Sequence, residues 1–538
     1  CSYNQLTTLD ISNNTSLQHL NCASNLLSTL FIKNGIDEQY LAFSGNPGLQ
    51  YICADSSQLE SIQTQLISFG MAATVSNSYC TFSPGGDYNS INGIAIFDAD
   101  NNGCNITDEV NPFVRFDIND GTTTGATVTN INGGYTFFAN TGTYNIAPNV
   151  ENPTWFDFSP PSSEIVFPDN NNNVSTQNFC IAAVGIHSDI EVVLLPVEAA
   201  RPGFDAPYKI IYKNKGNQML SGTVSLTFND DVTDFVTAVP LVDNSGVNSL
   251  SWNYVNLMPF ENRSIDFVLN INSPVETPAV NIGDLLTFDA TITPVVGDDL
   301  PADNQFTYVQ TVIGSFDPNA KTCLEGNVVS PSEIGNYLHY NIEFENTGDA
   351  AAQNVVVRDV IDPTMYDIST LQIMYSSHPM RAVISGNTIE FVFENINLAP
   401  SAGDPPVGGH GNILFKIKTL ESLAVGSEVL NTADIFFDYN APIVTNESRT
   451  TFQSLSIPEN AIDQSIVIYP NPTNNIVNID CNNSIKTIQL YDVQGRILQT
   501  LIVNANTKRL DVSDQSSGIY FIKVTTENGA KVEKLVKE

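Results

Sequence analysis

Ile468-Tyr469-Pro470-Asn471-Pro472, then Tyr491-Asp492-Val493-Gln494-Gly495-Arg496, then Ser517-Gly518-Ile519-Tyr520-Phe521-Ile522-Lys523-Val524 are the strings that decide how this chain reads. Ile466, Val467 and Ile468 form an apolar run that Pro-Asn-Pro ends, because proline cannot donate to a strand ladder. Ile476-Val477-Asn478-Ile479 and Ile485-Lys486-Thr487-Ile488-Gln489-Leu490 mix apolar and polar residues at strand length. Gly495 and Gly518 stand between apolar runs, where turns need a residue without Cβ. A last run, Lys531-Val532-Glu533-Lys534-Leu535-Val536-Lys537, follows. The spacing predicts seven or so short strands in an all-β sandwich of about 70 residues.

This segment, 463–538, resembles the type A C-terminal sorting domain of the Bacteroidetes type IX secretion system. The matching positions are Pro470, Asn471 and Pro472, then Asp492, Gly495 and Arg496, then Gly518 and Tyr520, and finally Lys534 and Lys537. The resemblance implies a folded tag read by the outer-membrane translocon and a sorting-domain receptor, and often removed afterwards. It implies passage through the periplasm to the cell surface or the medium. The other reading is one more structural sandwich at the end of an extracellular rod.

The chain has 538 residues, enough for three to five domains, and a net charge of −37. From Ile466 onward there are 8 Lys/Arg and 7 Asp/Glu; the 13 basic and 51 acidic residues before it carry −38. Such a surface repels nucleic acid and anionic lipid, which excludes both as expected partners. Charged residues make up only 15%, and Asn, Thr, Ser and Gly abound, a β-rich, turn-rich extracellular composition. No apolar run approaches the ~18 residues of a membrane helix. No signal peptide stands at the start, so the expectation is a mature chain, or one that continues upstream. Eight cysteines are too few for a disulfide scaffold but allow a few bridges.

Residues 1–55 repeat. Leu6-x-x-Leu9-x-Ile11-x-x-Asn14 is followed by Leu17-x-x-Leu20-x-Cys22-x-x-Asn25, and three further units keep a step of 10 or 11 residues. This resembles bacterial leucine-rich repeats and implies a solenoid with inward strand positions and asparagines bonding backbone in the turns. Cys1-Ser2-Tyr3-Asn4 fits half such a unit, so more repeats are expected upstream; a lipidated Cys1 is the rival view. Leu59, Ile62, Leu66 and Ile67 recur at helical spacing and predict a short capping helix over 56–69. Cys53 before it and Cys80 after it are expected to bridge and clamp the cap, with two buried thiols as the alternative. The solenoid is assigned to 1–80.

Strands punctuated by glycine fill 86–183, which resembles the B-type or prealbumin-like sandwiches of bacterial surface proteins. Its loop Asp98-Ala99-Asp100-Asn101-Asn102-Gly103-Cys104 places three side-chain oxygens, from Asp98, Asp100 and Asn102, at alternate positions. Cys104 adds a backbone carbonyl and Glu109 stands at the twelfth position, where EF-hand-type loops supply a carboxylate. Ca²⁺ suits these hard donors; the plain alternative is an Asx-rich hairpin without an ion. Cys104 and Cys180 flank this domain and are expected to bridge.

Alternating strands over 187–313 predict an immunoglobulin-like sandwich. Residues 314–453, with Tyr340-Asn341-Ile342-Glu343-Phe344 and Asn431-Thr432-Ala433-Asp434-Ile435-Phe436-Phe437, resemble an uncharacterised β-sandwich family found just ahead of type IX sorting domains. The fold class expected is mostly β: a leucine-rich solenoid followed by a string of sandwiches.

No catalytic residue emerges. The five histidines, His19, His187, His339, His378 and His410, form no His-Glu-x-x-His or i, i+4 pair, and no Gly-x-Ser-x-Gly elbow, phosphate loop or dinucleotide fingerprint occurs. The expectation is a non-enzymatic, adhesin-type protein whose solenoid meets a protein or glycan, the sandwiches serving as spacer. The alternatives are a structural surface or filament component, or the remnant of an enzyme whose catalytic domain lies upstream of residue 1.

Overall fold

The regularly spaced leucines and isoleucines of the first 55 residues point inward from three-residue strands. Thr8–Asp10, Thr29–Phe31, Tyr51–Cys53 and Val75–Asn77 pair in one parallel ladder, and His19–Asn21 pairs with Tyr40–Ala42 in another. Leu20, Leu30, Ile32, Phe43 and Ile52 are buried between them. The turns are tied by asparagine. Asn46 Nδ2 donates to the Phe43 and Cys22 carbonyls at 2.8 and 3.1 Å, and its Oδ1 accepts from Leu27 N at 3.2 Å. Asn25 does the same for Leu6 and Cys22. A 3-10 turn, Ser56–Gln58, leads into the helix Leu59–Ser68, which buries Ile62 and Leu66 and leaves Ile67 exposed.

The computed structural model describes residues 1–105, 107–314, 317–401, 408–453, 465–493, 496–526 and 529–538. They divide into two units, Cys1–Gln453 and Ser454–Glu538. The second segment of the first unit centres on Asn89–Asp98, flanked by Gly134–Ala139 and Phe179–Ala183. In the third, alternation is clean: Leu250, Trp252 and Tyr254 of Ser249–Leu257 turn inward and meet Tyr208, Phe267 and Phe288. The fourth centres on Tyr337–Glu345 paired with His410–Thr419. Gly411 opens the latter strand because a Cβ there would lie 2.2 Å from the Phe344 ring.

Chain order suggests sandwiches that meet only their sequence neighbours. Instead, the second segment is stitched to the fourth. Thr124–Val128 pairs antiparallel with Arg381–Ser385, Val128 facing Ala382 and Gly125 facing Ser385. The result is one nine-stranded sheet from Ser163–Phe167 at one edge to Ile443–Val444 at the other. Ala126 and Val128 enter the core of the fourth segment. Phe260 of the third reaches the second, 4.6 Å from the Phe156 ring. Tyr79, just after the repeats, stacks edge-on to Phe436 at 4.9 Å and donates to Glu390 Oε1 at 2.6 Å. An edge strand paired by another segment has no free ladder groups, so the seam removes an aggregation liability while joining the segments.

In the second unit, Ile476–Tyr491 is one strand of 16 residues rather than two short ones. It pairs with Val467–Tyr469, Ile497–Asp511 and Gly518–Thr526, and the latter with Gly529–Lys537. The register slips between Asp480 and Ile485, so Cys481-Asn482-Asn483-Ser484 acts as an irregularity within a strand, not a loop. Ile479, Ile488, Leu490, Leu510, Ile522 and Val524 form its core. Replacing Phe436 by Ala empties the contact with Tyr79, Val356 and Val392. The expected cost is about 3–5 kcal/mol, read as a lower urea midpoint with unchanged slope.

Candidate functional sites

The carboxyl-terminal motif residues lie in turns that tie strands together. Asn471, between Pro470 and Pro472, donates from Nδ2 to Lys534 O at 2.6 Å and accepts at Oδ1 from Val536 N at 2.9 Å. The neighbouring prolines have no N–H, so the side chain does the pinning that backbone cannot. Asp492 accepts from Arg496 N at 3.0 Å and from Arg496 Nε at 2.7 Å, closing that turn with an ion pair. Gly495 falls outside the described residues. Gly518 opens its strand, Tyr520 donates to Ser516 O at 2.8 Å, and Lys537 donates to Glu538 O at 3.0 Å.

The Asp98 loop is built by its own donors. Asp98 accepts from Asn102 N and Gly103 N at 3.0 and 2.8 Å, and Asp100 from Asn102 Nδ2 at 2.5 Å. Asn101 and Gly103 take the left-handed conformation that such a turn needs. Asp98, Asp100 and Asp108 each bring one oxygen within 4.8 Å of the others. Glu109 is not with them: it starts the strand Glu109–Val110, pairs with Phe97 and is exposed. Asp108, one residue earlier, therefore takes the place expected of Glu109. Cys104, whose thiol could not serve as a thiolate ligand here, is bonded to Cys180. Cys53 is bonded to Cys80.

Sequence spacing did not reveal the densest polar site, where the second, third and fourth segments meet. Lys416 Nζ lies 2.8 Å from Glu191 and 2.9 Å from Glu151. Lys215 Nζ lies 2.5 Å from Asp303 and 3.4 Å from both Asp189 and Glu151. His339 bridges Glu191 at 3.2 Å and Glu325 at 2.6 Å. Glu191, Lys215 and Lys416 are all nearly inaccessible to solvent. The other histidines are separate: His187 stacks on Trp155, His410 is exposed near Glu345, and His378 meets Ser377 Oγ at 2.9 Å. Among the described residues no carboxylate is hydrogen-bonded to the His378 ring, so no triad forms there.

Residues 467–538 match the family described as the secretion system C-terminal sorting domain. Residues 317–451 match a domain of unknown function, DUF7619. Among curated proteins, none matches. Solved structures with β-sandwich architecture are similar only at a distance. The major pilin subunit of Bacillus cereus shares 10% identity over 84% of this chain and 94% of that one, with a TM-score of 0.15. The RrgB pilus protein from Streptococcus pneumoniae shares 10% over 84% and 93%, with a TM-score of 0.16. The ACE adhesin of Enterococcus faecalis shares 13% over 50% and 95%, with a TM-score of 0.17.

A mostly β chain that ends in this sorting domain is a cargo of type IX secretion. It is delivered to the cell surface or released, and its terminal unit engages the secretion machinery.

The three-segment junction makes stability depend on pH. Burial lifts the Asp189 carboxyl from 3.8 to about 8; Asp303, Glu151 and Glu191 add to this and Lys215 opposes it. Burial disfavours charge on His339, but Glu325 and Glu191 outweigh it and raise the ring from 6.5 to about 9. Both groups therefore keep, in the folded protein, a proton that the unfolded chain has released. Their stabilising contributions are whole below the unfolded values and are lost as pH rises through the folded ones. Lys213, lowered by burial to about 8, acts in the opposite sense only above that pH. The urea midpoint of the full chain is expected to fall between pH 6.5 and 8, and Asp189→Asn to make the fall shallower.

Proposed function

We propose that this cargo is a non-enzymatic binding protein of adhesin type, and that its first 80 residues are leucine-rich repeats forming the contact region. The observation that carries the reading is the unequal use of the two ladders. Phe31 and Tyr51 of one are covered by Tyr439, at 6.5 and 4.8 Å between rings. The other stays open: His19 and Asn21 are exposed, Tyr40 is 52% exposed, and the His19 and Tyr40 rings lie 6.5 Å apart. An aromatic side chain among polar neighbours, on a backbone fixed by asparagine ties, suits contact with a protein or glycan.

Joint replacement of His19 and Tyr40 by Ala tests this. Both side chains face solvent, so stability is expected to stay within about 0.5 kcal/mol. Binding of the purified chain to a glycan array and to a panel of extracellular matrix proteins is expected to drop at least tenfold. Undiminished binding would place the contact elsewhere. Export is read separately, by fusing residues 465–538 to a periplasmic reporter, and should survive both replacements.

Calcium at the Asp98 loop belongs to the same proposal. Asp98, Asp100 and Asp108 supply the donor set, and the ion would stiffen a loop now closed only by Asx hydrogen bonds. Calorimetric titration with calcium should show one site in the wild-type chain and none in Asp98→Asn.

A further inference from the structure

Lys321, Asp359 and Asn431 come together inside the fourth segment. Lys321 is 1% exposed, Asp359 0% and Asn431 4%. The Lys321 ammonium and the Asp359 carboxylate are in direct contact. Tyr340 and Phe415 wall the pair in, their ring centres 5.2 and 5.3 Å from Nζ. Asn431 is placed beside both by the ladders. Ala433, two residues on, is the cross-strand partner of Asp359. Asn431 itself faces Ser448, whose Oγ accepts from Cys323 N, two residues beyond Lys321.

The carboxamide bears on Asp359 and helps hold that carboxyl down against the burial that raises it. Yet neither Asn431 Nδ2 nor Oδ1, nor Asp359 Oδ1, makes a hydrogen bond of ordinary geometry. A buried amide with both ends unanswered costs on the order of 1–3 kcal/mol per group and calls for an explanation.

We propose that Lys321 and Asn431 are joined by an isopeptide bond that the folded segment makes within itself, with Asp359 as the proton carrier. The Lys321 Nζ lone pair attacks Asn431 Cγ while protonated Asp359 gives its proton to Oδ1. Asp359 then takes a proton from Nζ and the departing Nδ2 leaves as ammonia. The Nζ–Cγ bond forms, the Cγ–Nδ2 bond breaks, nothing is oxidised or reduced, and Asp359 ends as it began, protonated, now facing the new amide carbonyl.

Burial favours the reactive protonation states. It lowers Lys321 against the pull of Asp359 and raises Asp359 against the pull of Lys321, toward neutral amine and neutral acid. The electrophile is Asn431 rather than Asp359 because a Lys321–Asp359 bond would need a second buried acid to carry protons. The nearest candidate, Asp434, follows Ala433 in the strand, so it turns to the other face and is part-exposed.

Mass spectrometry of the full chain decides the matter without any variant. The intact mass should be one ammonia below the sequence mass, after allowance for two disulfides. A tryptic digest should yield one branched peptide carrying both Lys321 and Asn431. Lys321→Arg and Asp359→Ala should each return the unmodified mass. Separate, unmodified peptides bearing Lys321 and Asn431 in the wild-type digest would overturn the proposal, even where the variants misfold. So would loss of water with a Lys321–Asp359 linkage.

Discussion

A carboxylate removed from water must be met by charge or hydrogen bonds within a few ångströms, or the fold that buries it fails. Glu191 sets that condition for the first unit. Its carboxylate is buried by the packing of the third segment on the fourth, and it is answered by Lys416 and His339 from the fourth and, more distantly, by Lys215 from the third. Glu151 of the second segment shares Lys416 and Lys215. No segment holds the full set of partners. Separated from its neighbours, each would keep charges that only water could then satisfy. The arrangement ties the segments to one relative placement more tightly than apolar packing, which tolerates sliding, would do alone.

The same logic explains where acidity is tolerated. The first 465 residues carry −38, yet the interior cluster is close to balanced, so the excess lies on surface exposed to solvent. The terminal unit, near neutral, is a different kind of surface on the same chain. Its turns are held by Asn471 and by the Asp492–Arg496 pair, short-range ties that need nothing from the cargo. That independence is what a transferable address requires.

Much of this was legible in order and spacing. The asparagine-tied repeats, the helix after Ser56, both disulfide pairs and the strand–turn rhythm of the terminal unit follow from local pattern. What spacing could not convey is a second covered face. Asn341 and Glu343 alternate with apolar residues and so read as solvent-facing, yet both are buried under the third segment. His339 looked solitary because its partners, Glu191 and Glu325, stand 148 and 14 residues away. Glu109 was misjudged by one residue, since no helix follows the loop and the chain turns straight into a strand. The long strand through Asn482 and Asn483 looked broken because polar residues usually signal loops, whereas here a register slip absorbs them.

The seam between Thr124–Val128 and Arg381–Ser385 joins residues far apart along the chain: Thr127 Oγ1 reaches Ala382 O across 255 positions. During biogenesis the first edge is complete long before its mate exists. At a delivery rate of roughly 5–20 residues per second, the interval is on the order of tens of seconds. For that time a bare, hydrogen-bonding strand end with Ala126 and Val128 uncovered waits in a crowded compartment. A holdase that shields β-edges is thus a natural requirement of this topology, and translocation is best timed after the ring of contacts has closed.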